Sequence, residues 1–214
     1  LGQVGDASVV PTLLQALRDS DEDVRRAAAT ALGQVGDASV VPTLLQALRD
    51  SDEDVRRAAA TVLGQVGDAS VVPALLQALR DSNWQVRRAA ATALGQVGDA
   101  SVVPTLLQAL RDSEFYVVRE AAATALGQVG DASVVPALLQ ALRDSNEDVR
   151  SAAATALGQV GDERAIQGLV VRLRDRVVIK DRQRVCDQAA KALEQIGTAA
   201  ALQALNDWRQ GRQA

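Results

Sequence analysis

The phrase LGQVG opens the chain at Leu1 and returns at Leu32, Leu63, Leu94, Leu126 and Leu157, with a degenerate form, LEQIG, at Leu193. The intervals are 31, 31, 31, 32, 31 and 36 residues. A period of this length belongs to chains that stack one supersecondary unit on the next, so that neighbours share a core no single unit could close alone. The first two repeats differ only at Ala31 and Val62. Either a recent duplication or a consensus-derived, engineered array accounts for that identity.

Each repeat carries two helical patterns. In the first, from about Ser8 to Arg18, Val10, Leu13, Leu14 and Leu17 fall on one face. With Ser8 as cap, Pro11 lies in the first turn, where its missing donor costs nothing; with Asp6 as cap it marks a bend. The second pattern runs from about Asp21 to Gln34. Ser20 with Asp23 resembles a capping box, repeated at Ser51, Ser82 and Ser145. Val24, Ala28, Ala31 and Val35 form its apolar stripe, flanked by Ala27 and Leu32, with Arg26, Ala29, Thr30 and Gly33 opposite. Gly36 follows as the helix stop. The expected architecture is all-α, a right-handed α-solenoid of stacked antiparallel helix pairs. Residues 1–214 then form one repeat domain, with partial units at 1–5 and 198–214.

Composition agrees with a helical stack. Hydrophobic residues make up 48% of the chain, nearly all Ala, Val and Leu, and the large aromatic side chains are Trp84, Phe115, Tyr116 and Trp208. Small side chains let helices approach closely. The formal charge of −4 does not suit a general nucleic-acid binder. Residues 162–214 nevertheless hold ten basic against seven acidic residues. There is no apolar run of membrane-spanning length and no signal-like start, which predicts a soluble, cytoplasmic protein without a membrane partner. The single cysteine, Cys186, excludes an internal disulfide and a multi-cysteine metal site, and reads as a buried thiol.

The stretch DASVVPTLLQALRDSDEDVRRAAATALGQVG resembles the HEAT-like repeats found in phycobilisome bilin lyases and many bacterial proteins, over essentially the whole chain. The resemblance implies an acid–arginine ladder joining neighbouring repeats, carried by Asp19 with Arg25, Asp50 with Arg56, Asp81 with Arg87, Asp112 with Arg119 and Asp144 with Arg150. It also implies that second helices line the concave face. Arg26, Arg57 and Arg88 would then form a basic row, which changes to Glu120, Ser151 and Asp187 in later repeats.

Departures between repeats mark the candidate site. After the DS turn the first two repeats read DED, the third NWQ and the fifth NED, while the fourth, EFYVVR, is one residue longer. Trp84, Phe115 and Tyr116 therefore stand at equivalent edges of adjacent repeats, where aromatic side chains serve as interface anchors. The alternative role for Phe115 and Trp84 is to fill local space. The sixth repeat has a lengthened basic connection near residues 174–184, with Arg174, Arg176, Lys180, Arg182 and Arg184. Trp208 is expected to cover the terminal core.

The chain contains no His, no cysteine cluster, no HExxH and no phosphate loop. The recurrent GxxG of Gly33 and Gly36 fits a helix-ending turn, and the carboxylates Asp21, Glu22 and Asp23 fit a helix start. These readings lead to a non-catalytic scaffold without cofactor or metal. Its partner is a protein or peptide, bound through Arg26, Arg57, Arg88, Trp84, Phe115, Tyr116 and Glu120. Two alternatives stand beside it: a chromophore-handling, lyase-like subunit, and a nucleic-acid contact through the basic C-terminal region.

Overall fold

The computed structural model describes residues 7–35, 38–112, 114–175 and 185–211. Its α-helices are α1 (Val10–Ala16), α2 (Glu22–Val35), α3 (Val41–Ala47), α4 (Glu53–Val66), α5 (Val72–Ala78), α6 (Trp84–Val97) and α7 (Val103–Ala109). They continue as α8 (Tyr116–Val129), α9 (Val135–Ala141), α10 (Glu147–Val160), α11 (Ile166–Arg172), α12 (Val185–Ile196) and α13 (Ala199–Gln210). The fold is an all-α, solenoid-like arrangement of paired, stacked helices, with no strand among the described residues. The chain divides into two compact halves, Leu1–Thr105 and Leu106–Ala214.

In the N-terminal half each short helix packs on the long one that follows, and the long helices α2, α4 and α6 pack in series. The C-terminal half repeats this with α8, α10 and α12, and α13 packs on α11 and α12. The first helix of each repeat starts in two stages. Asp68 accepts the Ser70 N–H and caps a three-residue 3-10 turn, Ala69–Val71, after which Pro73 falls in the first turn of α5. Asp99, Asp131 and Asp162 cap equivalent turns. The aspartate is therefore the cap, and proline opens a helix without bending it.

The second helices are capped one residue later than the serine pattern predicts. Asp52 accepts the N–H groups of Asp54 and Val55, Asn83 that of Gln85, and Asn146 those of Asp148 and Val149. The preceding aspartate, Asp50 for example, accepts the N–H of the capping residue itself. In the longer fourth repeat Phe115 occupies the cap position without a capping side chain. Asp112 takes over by accepting the Glu114 and Phe115 N–H groups. At the other end Gly67, Gly98, Gly130 and Gly161 stop their helices at φ between 71° and 74°, a left-handed conformation costly for any side chain.

The outward face is narrower than the helical wheel predicts. Ala29, Ala60 and Ala91 are fully buried, and Gly64 and Gly95 are buried as well. The reason is close approach. A Cβ placed on Gly64 would lie 2.6 Å from both Cα and Cβ of Ala93, and one on Gly127 2.7 Å from those of Ala156. The LGQVG phrase thus contains a packing glycine and a stopping glycine, three residues apart.

Neighbouring repeats are also tied by the ladder, with partners shifted by one repeat from those expected. Arg25 Nε and Nη2 donate to Asp50 at 2.8 and 2.9 Å, and Arg56 to Asp81 at 2.8 and 3.0 Å. Arg119 bonds Asp144 and Arg150 bonds Asp175. The aspartate of an arginine's own repeat offers only its backbone carbonyl, as Asp50 O does to Arg56 Nη1 at 2.8 Å.

Candidate functional site

With Ala28, Ala29, Ala59, Ala60, Ala90 and Ala91 buried, the longer side chains on the open side of α2, α4 and α6 include Arg26, Thr30, Arg57, Thr61, Arg88 and Thr92. They recur at positions separated by one repeat. Two grooves run between these helices. The first, about 620 Å³, is lined by Arg26, Thr30, Gln34, Arg57, Thr61 and Gln65 among others. The second, about 240 Å³, is lined by Arg57, Thr61, Trp84, Gln85, Arg88 and Gln96 among others. Arg57 and Thr61 border both, so the predicted basic row and Trp84 share one surface of the N-terminal half.

The arginines on that surface are not equivalent. Arg26 Nη2 lies 2.9 Å from Asp23 and its Nη1 3.7 Å from Asp54, while Arg57 Nη2 lies 2.8 Å from Asp54. Their charge is thus partly answered within the row. Arg57 Nε is buried and has no hydrogen-bond partner among the described residues. In α6 the residue corresponding to Asp54 is Gln85, and the Arg88 side chain has no ion pair or hydrogen bond among the described residues. Asn83 keeps the helix cap while the acids on either side of the indole position disappear. The third repeat therefore combines an unanswered cation with Trp84, which is half-buried at the first position of α6.

Phe115, Tyr116 and Glu120 belong to the C-terminal half. Phe115 is half-buried at the cap of α8, and Tyr116, the first residue of that helix, is 39% exposed. Glu120 points one carboxylate oxygen, Oε2, into a buried position with no hydrogen-bond partner among the described residues. The row in this half carries Glu120, Ser151 and Asp187, so it lacks the basic character of α2, α4 and α6. Trp208 donates from Nε1 to Leu173 O at 3.0 Å, and Leu205 beside it is buried. Cys186 is buried as well. Of the basic connection, Arg174 is exposed, whereas Arg176, Lys180, Arg182 and Arg184 lie outside the described residues. No group of three or more His, Cys, Asp or Glu among the described residues is arranged to hold a metal ion. No helix among them is long and apolar enough to cross a membrane.

A family model described as HEAT repeats matches residues 1–52, 41–127 and 103–186. The chain belongs to the HEAT-repeat family. No curated protein sequence matches it. Among solved structures, this HEAT-repeat chain is similar to the complex of CpcE and CpcF of phycocyanin lyase from Nostoc sp. PCC7120. The identity is 24% over 97% of this chain and 84% of that one, with a TM-score of 0.59. YibA of E. coli is similar at 24% identity over 95% of this chain and 76% of that one, with a TM-score of 0.69. An engineered protein matches at 24% identity over 88% of this chain and 96% of that one, with a TM-score of 0.66.

These likenesses establish a shared HEAT-repeat scaffold, an architecture capable of protein–protein interaction. They also correct the expectation that the chain is not an enzyme. The same architecture, aligned over nearly the whole chain, occurs in a phycocyanin lyase. Missing motifs of other enzyme classes are no measure of lyase chemistry, because the HEAT scaffold hosts sites of very different composition.

Proposed function

We propose that the chain is a HEAT-repeat binding module whose ligand face is the surface of α2, α4 and α6. Its ligand carries carboxylates beside a flat, apolar body. The observation that carries this reading is the third repeat, where Asn83, Trp84 and Gln85 stand in place of Asp52, Glu53 and Asp54. The exchange preserves the cap, removes three acids and leaves Arg88 unanswered beside an indole. Arg88 and Arg57 would receive carboxylates, and Trp84 would cover the apolar body. Arg26 extends the row; on the C-terminal half Tyr116 and Glu120 are proposed as contacts of a separate surface, with Phe115 anchoring the turn that presents Tyr116.

Two ligands have that chemistry. One is an acidic protein or peptide segment with aromatic or aliphatic residues among its carboxylates, which suits an open groove spread over three helices. The other is a bilin, an open-chain tetrapyrrole with two propionates on a flat conjugated body. The likeness to phycocyanin lyase supports the bilin more than the peptide, and with it a role in chromophore attachment or handling.

Titration of the protein with biliverdin, followed in the visible spectrum and by Trp84 fluorescence, separates them. A saturable spectral change near one equivalent, lost in the N83D/W84E/Q85D variant, supports the bilin. A flat spectrum, with saturable anisotropy of a labelled Glu- and Phe-containing peptide that the same variant abolishes, supports the peptide. Undiminished binding of either ligand by that variant, or binding of neither by the parent protein, overturns this face as the site.

A further inference from the structure

A second arginine recurs in every repeat and has no part in the ladder or the row just described: Arg18, Arg49, Arg80, Arg111 and Arg143, in the phrase LRDS. It follows the last turn of each first helix, at the edge where the chain turns back. All five are exposed. None of their side chains makes a hydrogen bond or ion pair among the described residues. The adjacent aspartates behave differently. Asp50, Asp81 and Asp144 are bound by Arg25, Arg56 and Arg119. The ladder thus neutralises the acid of three of these LRDS turns and leaves their arginines unanswered.

Between successive turns lies a groove lined by leucines and alanines together with charged and polar side chains. In the N-terminal half Leu45, Leu48, Arg49, Gln77 and Arg80 are among the residues that line it, in about 510 Å³. The C-terminal half has its own copy, lined by Leu110, Arg111, Gln140 and Arg143, in about 530 Å³. The Arg56–Asp81 and Arg119–Asp144 bridges form part of the respective linings and fix the walls.

We propose that this edge is a second docking surface, and that its occupant is an amphipathic acidic helix of a partner protein. Stacked helices lie about 10 Å apart, which sets the spacing of Arg49 and Arg80 along the stack. Two carboxylates seven residues apart on one face of a helix are separated by about 10.5 Å. Such a helix places one acid on each arginine and an intervening leucine over Leu45 and Leu48. A nucleic acid fits this edge poorly. The second helices begin at the same edge with exposed acids, Asp21, Glu22 and Asp23 in the first repeat and Glu53 in the second. A continuous polyphosphate would meet them, whereas a helix with acids only every seventh residue passes between.

The test is fluorescence anisotropy of a labelled helical peptide with Glu at positions i and i+7 and Leu at i+3 and i+4. It is compared with a peptide of the same composition in scrambled order. The protein binds the ordered peptide about tenfold more tightly than the scrambled one, because only the first pairs charge and leucine with the groove together. The variant R49Q/R80Q/R111Q/R143Q loses about tenfold or more in affinity for the ordered peptide, while K191Q, at an exposed position of α12 outside both surfaces, leaves it unchanged. If the fourfold variant lacks the parent's far-ultraviolet circular dichroism, R49Q/R80Q and R111Q/R143Q decide in its place. Equal binding of both peptides, parent-like affinity of the arginine variants, an equal loss of binding in K191Q, or displacement of the peptide by an equal concentration of oligo(dT) overturns the proposal.

Discussion

Replacing Arg56 with alanine tests whether the ladder holds neighbouring repeats together. Its guanidinium donates to Asp81 at 2.8 and 3.0 Å and to the carbonyls of Asp50 and Ser51 at 2.8 and 2.9 Å. Both side chains of the pair are only 13% exposed. Removing one partner of such a pair costs about 3–5 kcal/mol, because the other charge and its acceptors are left behind. Asp81 retains the Asn83 N–H and some access to water, which places R56A at the lower end, about 3 kcal/mol. The cost depends on pH in a defined direction. Burial works against the charged form of Asp81. Hydrogen bonds from Arg56 and the Asn83 N–H, together with the charges of Arg56 and Arg87, outweigh it and hold the carboxyl below its ordinary value. A carboxyl depressed on folding stabilises fully above its unfolded pKa of about 3.9, and that stability is lost as pH falls through the folded value. Urea unfolding of wild type and R56A should therefore show a gap that is constant near neutrality and narrows below the ordinary carboxylate range. Hydrogen exchange should locate the loosening in α4 and α6. A gap below 1 kcal/mol at pH 7, or one that widens in acid, refutes the reasoning.

Three further substitutions probe the remaining elements. G64A should destabilise by about 1–3 kcal/mol in urea unfolding, since its Cβ meets the Ala93 backbone at 2.6 Å, even though alanine favours a helix; a stabilised variant would exclude that contact. G98A meets no atom within 4 Å, so its cost of about 1 kcal/mol comes from the left-handed φ of 73° alone, and G98N should recover part of it in the same assay. N83A removes the cap of α6 and should cost about 1 kcal/mol with faster amide exchange at Gln85, whereas N83D should stay close to wild type.

The repeat period, the helix pairs and the glycine stops were legible because each depends on local chemistry that recurs at a fixed interval. The serine caps were misplaced by one residue because Asp50 and Asp52 both accept N–H groups in the same turn, and sequence spacing alone does not rank them. Ala29 and Gly33 looked solvent-facing on a helical wheel drawn for one partner, yet a second helix here has two: its own first helix and the next second helix. The site was legible only in part. Arg49, Arg56 and Arg57 sit within nine positions of one repeat and have three different fates: unanswered at the edge, fixed in the ladder, and tied to Asp54 on the groove face. Composition treats them alike, and only the direction of each side chain distinguishes them. The edge arginines were passed over for that reason, although their recurrence beside an aspartate of the ladder was a usable signal.

The packing rule changes at the second helix of the sixth repeat, α12. Gly127 and Gly158 admit Ala156 and Ala192 of the following second helices almost against their backbones. At the corresponding position α12 carries Glu194, the single change from LGQ to LEQ. A helix approaching as closely as α12 approaches α10 would collide with that side chain. Glu194 instead forms an ion pair with Arg209 of α13, while Trp208 is tied to Leu173 O. A glutamate at the close-approach site thus replaces a packing surface with a polar contact to α13. The residues that vary between repeats divide by this criterion. Val62 and Glu194 act on the stacking distance, whereas Trp84, Gln85 and Glu120 lie outside the glycine–alanine contacts, so selection on binding can change them without moving a helix.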